Sequence, residues 1–217
     1  MKTQKYVFLQ ALVITIIIFN LGIYLGYKLE TSRVDKIEEW YLRSEMELLD
    51  QRIQESAFDV VDLDCNSVFE ENIKFADRIF EQALVIKEYE DANRINEDII
   101  ILHKKYDLLR TLFWVNSMKI KEKCALDYHN VVYLYDYDEP TIDQKAKQRF
   151  FSNLLGEIKE RKGSEIMLIP IAADNDLASL NLLLDKFGVT ELPVILIDEM
   201  IKVTDVESVD DVEKYLG

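Results

Sequence analysis

The alternation of apolar and polar positions changes character several times along the chain, and each change marks a different kind of element. From Tyr6 to Tyr27 there is no charged residue, and positions 7–25 read VFLQALVITIIIFNLGIYL. A run of that length crosses a hydrocarbon core of roughly 30 Å as one helix, which satisfies its own backbone hydrogen bonds in lipid. From Lys28 to about Ala57 the apolar residues Val34, Ile37, Tyr41, Leu48 and Leu49 recur at helical spacing, which predicts a helix continuing from the first. The acidic stretch Asp59–Asp64 breaks that pattern, and Asp64 is placed to cap a new helix. Two stripes follow. One runs Cys65, Phe69, Ile73, Ala76, Phe80, Ala83; the other runs Ile95, Ile99, Leu102, Tyr106, Leu109, Phe113, Asn116, Ile120, Cys124. Steps of three and four are the signature of a coiled-coil seam, which only Asn116 interrupts. An antiparallel helical hairpin is expected, turning near Asp91-Ala92-Asn93-Arg94.

After Leu126 the period shortens. Val131–Tyr135 has the composition of a buried strand, and Pro140-Thr141 opens a helix that Gly163 ends near Lys162. Glu165–Ile171 predicts a second strand and Asn175–Phe187 a second helix, closed by Gly188. Pro193–Ile197 and Met200–Thr204 read as two short strands joined through Asp198-Glu199, with a last helix over Asp210–Leu216. The expected fold is α+β: an anchor at 1–27, a helical stalk at 28–64, a hairpin at 65–125, and a β-α-β-α-β-β-α layered domain at 126–217.

Composition narrows the chemistry. The 217 residues carry 26 Lys and Arg against 41 Asp and Glu, a net charge of -15, so nucleic acid is not the expected partner. Six glycines and three prolines leave no phosphate-cradling loop of the GxGxxG or GxxxxGK[ST] type, and neither breaker occurs between Gly26 and Pro140. Gly22 and Gly26 form a GxxxG match in the apolar run. That spacing lets two spans pack closely, although glycines are common in spanning helices anyway. Two Cys and two His in scattered positions do not make a zinc site. Acidic residues gather after the expected strands (Asp136, Asp138, Glu139, Asp174, Asp176), where a hard cation is a conceivable ligand but solvated loops are the simpler reading. Neither a metal nor a cofactor is expected.

The cysteines sit at opposite ends of the two stripes. Folding the hairpin near Arg94 brings Cys65 and Cys124 to one height on one seam, where a disulfide is geometrically reasonable; two facing buried thiols are the alternative. A disulfide needs an oxidising compartment. That requirement and the short tail before the apolar run point to a single-pass membrane protein with its soluble part outside the cytoplasm.

Residues 126–217 resemble the thioredoxin-like fold. Leu192-Pro193-Val194, following Phe187-Gly188-Val189 and entering a hydrophobic strand, is similar to that family's cis-proline loop. Tyr137-Asp138-Glu139-Pro140-Thr141 falls where the family carries Trp-Cys-Gly-Pro-Cys: the aromatic and the proline are kept, and both redox cysteines are missing. The whole layout also resembles that of membrane-anchored prokaryotic proteins, a likeness that names no activity. The resemblance implies a groove beside Tyr137, Asp138, Glu139, Thr141, Leu192 and Pro193 that adds an extended peptide by main-chain pairing. Dithiol exchange needs an attacking and a resolving thiol. Asp138 and Thr141 supply neither, and with Asp143 they read as caps for the following helix. The expected function is therefore binding of protein or peptide, or assistance to folding, without redox turnover and with no catalytic residue assigned. Two alternatives stand beside it: a thiol-disulfide oxidoreductase using Cys65 and Cys124, and an architectural membrane protein, homodimeric through stalk and span.

Overall fold

A computed structural model describes the backbone of residues 2–61, 63–91 and 97–217, and the side chains within them apart from 2–5, 8, 29–38, 40, 85, 87–91, 97 and 98. The expected hairpin turn at 92–94 and the stripe residue Ile95 lie outside the described residues. The chain is α+β and predominantly helical. It divides into two units, Met1–Leu49 and Asp50–Gly217.

The first unit belongs to α1 (Lys2–Val60), an uninterrupted helix. Its segment Leu9–Lys28, with mean hydropathy 2.0, is long and apolar enough to cross a membrane. Ile17, Phe19 and Ile23 are more than half exposed there. No Gly or Pro follows Gly26 in this helix, so nothing in the backbone stops it before the acidic break.

The second unit holds the last turns of α1, then α2 (Cys65–Asp91), α3 (Glu97–Cys124) and a mixed sheet with its helices. Asp64 caps α2 as expected, its carboxylate accepting from the Ser67 N–H at 3.0 Å. Cys65 and Cys124 are joined, with Cα atoms 5.7 Å apart. On α3 the predicted seam is buried from Ile99 through Ile120. On α2 the buried line differs from the predicted one. Asn72, Phe75, Ile79 and Ile86 are inside, while Phe80 is 64% exposed. Two apolar lines run side by side on this helix, and Phe75 wins because its ring packs edge-on against Phe113 at 5.8 Å. Lys119 and Lys123 of α3 both pair with Asp59, which ties the end of α1 to the hairpin.

The sheet has the order β2-β1-β3-β4, with β1 (His129–Tyr135) parallel to β2 (Ile166–Ala172). β3 (Val194–Ile197) runs antiparallel to both β1 and β4 (Ile201–Val203). α4 (Ile142–Lys162) connects the parallel pair, α5 (Ala178–Phe187) follows β2, and α6 (Val209–Glu213) follows β4. Side chains alternate across the strands. Val131, Tyr133, Ile166, Ile195 and Ile197 pack with Phe151, Leu154, Leu155 and Ile158 of α4 and with Val212 of α6. The other face meets α3, which also packs on α5, fully buried Trp114 lying against Phe187 at 5.4 Å.

Polar side chains fix α3 to the sheet. The Tyr128 hydroxyl donates to the Ser117 carbonyl at 2.7 Å, and Ser117 Oγ donates to Asn130 Oδ1 at 2.6 Å. The β3–β4 turn joins the same network with Asp198 and Glu199 at φ 48° and 60°. Trp114 Nε1 donates to Glu199, while Lys121 and His129 reach Asp198.

Candidate functional site

In an open sheet with parallel strands, the crevice beyond their C-terminal ends is where loops converge and ligands bind. Here β1 and β2 end side by side at Tyr135 and Ala172, and the loops that follow are held by buried side chains of α3. Asp107 is fully buried. Its carboxylate accepts from the Ala172 N–H at 3.2 Å and from Asn175 Nδ2 at 2.5 Å, with His103 Nδ1 at 3.0 Å. A buried carboxylate is tolerated only with partners of this kind. Asn175 is thereby committed to Asp107, and Asp176 takes φ 51°. Helix α5 therefore begins at Ala178, three residues later than its composition predicts. The His103 ring stacks on Tyr137 at 3.8 Å, so one helical face of α3 positions both loops.

Arg110 completes that face. Its Nη2 donates to the Tyr106 hydroxyl at 2.6 Å, and its guanidinium lies 3.9 Å from the centre of the Tyr106 ring. Burial alone would push Arg110 toward losing its proton, but Tyr106, Tyr135 and Asp107 outweigh it and raise its pKa. Tyr135 is itself pushed well above the ordinary tyrosine value, burial being the main cause. Arg110 Nε is buried with no hydrogen-bond partner. Arg110, Tyr106 and Tyr135 border a cavity of about 480 Å³ between α2, α3, α4 and the β1–β2 pair.

The predicted groove residues occupy the same end of the sheet. Tyr137 and Asp138 give their backbone N–H groups to Asp174, at 2.9 and 2.6 Å. Thr141 is the N-cap of α4 in a reciprocal capping box with Gln144. Asp143 lies in the first turn, where a carboxylate favours the helix dipole. Glu139 is exposed, and Leu192–Pro193 enters β3 through a cis bond. None of the six predicted groove residues, nor Asp143, borders the 480 Å³ cavity.

The acidic loops hold one another. Asp174 is occupied by the two backbone donors, and Asp136 is pushed up by burial and by its hydrogen bond with Asp174. Among the described residues no group of three or more His, Cys, Asp or Glu is placed to hold a metal ion.

Sequence reasoning missed His103, Asp107 and Arg110 as a unit. Their spacing puts them on one helical face beside the apolar seam, and that signal was present. A second cavity, of about 360 Å³ and largely apolar, lies between the end of α1, the start of α2 and α3, with Asn72 and Asn116 on its wall.

Compared with known proteins, the chain matches no family model, no curated protein and no solved structure.

Proposed function

We propose that this is a membrane-anchored binding protein: a redox-inert, thioredoxin-like layer, carried outside the cytoplasm, that takes up an extended segment of another protein. The β-α-β-α-β-β-α order and the antiparallel β3–β4 pair beside a parallel β1–β2 pair support the likeness to that fold. The observation that carries the function is the chemistry at the end of β1. Where dithiol exchange would need thiols, the chain offers a capping threonine and a backbone held by Asp174. Both cysteines are bonded to each other at the far end of α3. Cys124 lies about 20 Å along the helix from Arg110, at 1.5 Å per residue. This separation disfavours the oxidoreductase reading, which requires the pair to act at the groove.

In this reading the apolar segment of α1 is the anchor, and the disulfide supports an extracytoplasmic placement, because such bonds persist in oxidising compartments. The full-length protein in a nonionic detergent should leave the disulfides of insulin intact in the presence of a thiol reductant. It should also gain hydrogen-exchange protection at 137–141 and 192–194 when mixed with a permanently unfolded, carboxymethylated protein. Rapid insulin reduction would favour the enzyme reading. An exchange pattern unchanged at both segments would remove the binding one.

A further inference from the structure

The cavity beside β1 has a charge character opposite to that of the chain. Acidic residues outnumber basic ones 41 to 26 overall, yet among the described residues no carboxylate borders this cavity, while Arg110, Lys145 and Arg149 do. Lys145 and Arg149 project from exposed positions on α4, and among the described residues neither forms an ion pair. Arg110 is different in kind. It is 8% exposed and held by Tyr106, and Asp107 stands 3.7 Å from it, already shared with Asn175 and Ala172. Its Nε remains unpartnered. A buried donor left without an acceptor is costly to the fold. The tyrosine rings of Tyr106, Tyr133 and Tyr135 form apolar wall around these cations.

We propose that this cavity binds an organic phosphate, its phosphate held by Arg110, Lys145 and Arg149 and its organic part lying against the tyrosine rings. A dianion matches the two unpaired surface cations. A tetrahedral oxyanion accepts from Arg and Lys donors converging from different helices, whereas a single carboxylate would leave most of them unused. The volume falls within the range of small-molecule sites. The site is separate from the peptide groove proposed above, so either reading can fail without the other.

The test uses the full-length protein in a nonionic detergent, titrated calorimetrically with phenyl phosphate and, separately, with dihexanoyl phosphatidic acid. Saturable binding of phenyl phosphate that weakens with added salt is expected. Lys145→Glu with Arg149→Glu should weaken it about tenfold or more, equal to about 1.4 kcal/mol, without lowering the melting temperature, because both residues are exposed. Arg110→Lys keeps the charge but loses the fork and should weaken it too; its fold is checked by the same melting curve. Binding of the lipid but not of phenyl phosphate would assign the phosphate to a lipid headgroup. Binding of neither, or binding that the double variant leaves unchanged, would overturn the proposal.

Discussion

At the scale of single residues, the turn between β3 and β4 shows how charge is spent on structure. Asp198 and Glu199 are adjacent, both have positive φ, and their environments push them in opposite directions. For Asp198 burial would raise the pKa, but hydrogen bonds from Lys121, His129 and the Asn130 N–H outweigh it and hold the carboxyl below its ordinary value. Glu199 is raised, chiefly by burial, despite donors from Trp114 and Asn130. The consequences for stability have opposite signs. Asp198 contributes fully above its unfolded value of about 3.9, and the contribution is lost as pH falls through the lower folded value. Glu199 costs stability above its raised value and gives that back as pH falls. Asp198→Asn keeps a residue that accepts positive φ but loses the charge, so denaturant melts at pH 7 should show a loss of about 1–3 kcal/mol that shrinks toward pH 3. Glu199→Gln still accepts from Trp114 and should be neutral or stabilising at pH 7. A loss of equal size in both variants would show that packing rather than charge governs the turn. Asn116 is a second case. It interrupts the α3 seam, is buried, and its Oδ1 has no partner. Asn116→Leu replaces an unsatisfied acceptor by an apolar side chain of similar size, with an expected gain of about 1 kcal/mol in the same denaturant melts.

At the scale of elements, what could be read in advance tracks how local the cause is. The α3 seam, the Thr141 cap and the parallel strands flanking α4 were legible because period, capping residues and composition all act within a few positions. The buried line of α2 was not, since Phe80 and Phe75 are equally apolar and only the Phe113 ring across the hairpin decides between them. The start of α5 was misplaced for the same kind of reason: Asn175 belongs to Asp107, 68 positions earlier. The disulfide was legible as a possibility, because equal distance from a hairpin turn is a property of sequence. It closes a separation of 59 residues, and cross-links of that span contribute about 2–5 kcal/mol. Replacing both cysteines by serine should lower stability by that order, read in urea melts as a lower midpoint with a steeper slope, because the freed unfolded chain exposes more surface. If the midpoint does not move, the hairpin is held by the seam and by the Asp59 pairs with Lys119 and Lys123 alone.

At the scale of the whole molecule, the apolar segment of α1 and the disulfide make one joint prediction. A helix that spans Leu9–Lys28 and remains uncleaved fixes the chain to a membrane, and a bond between Cys65 and Cys124 requires that residues beyond the span meet an oxidising environment. The two should therefore depend on each other. The full-length protein, recovered from membranes and treated with a thiol-alkylating reagent before reduction, should show no mass increase. A form lacking residues 1–27 and produced in a reducing cytoplasm should take up two alkyl groups and melt at lower denaturant, by the amount lost in the double serine variant. The agreement between those two losses is the sharper part of the expectation, since the span itself makes no contribution to the second unit's stability if the cross-link is its only effect on that unit. Two alkyl groups on the membrane-derived protein would place the soluble part on the reducing side. The polar network of Ser117, Tyr128 and Asn130 would then be what holds α3 to the sheet near Cys124, and the proposed peptide groove would face cytoplasmic partners instead.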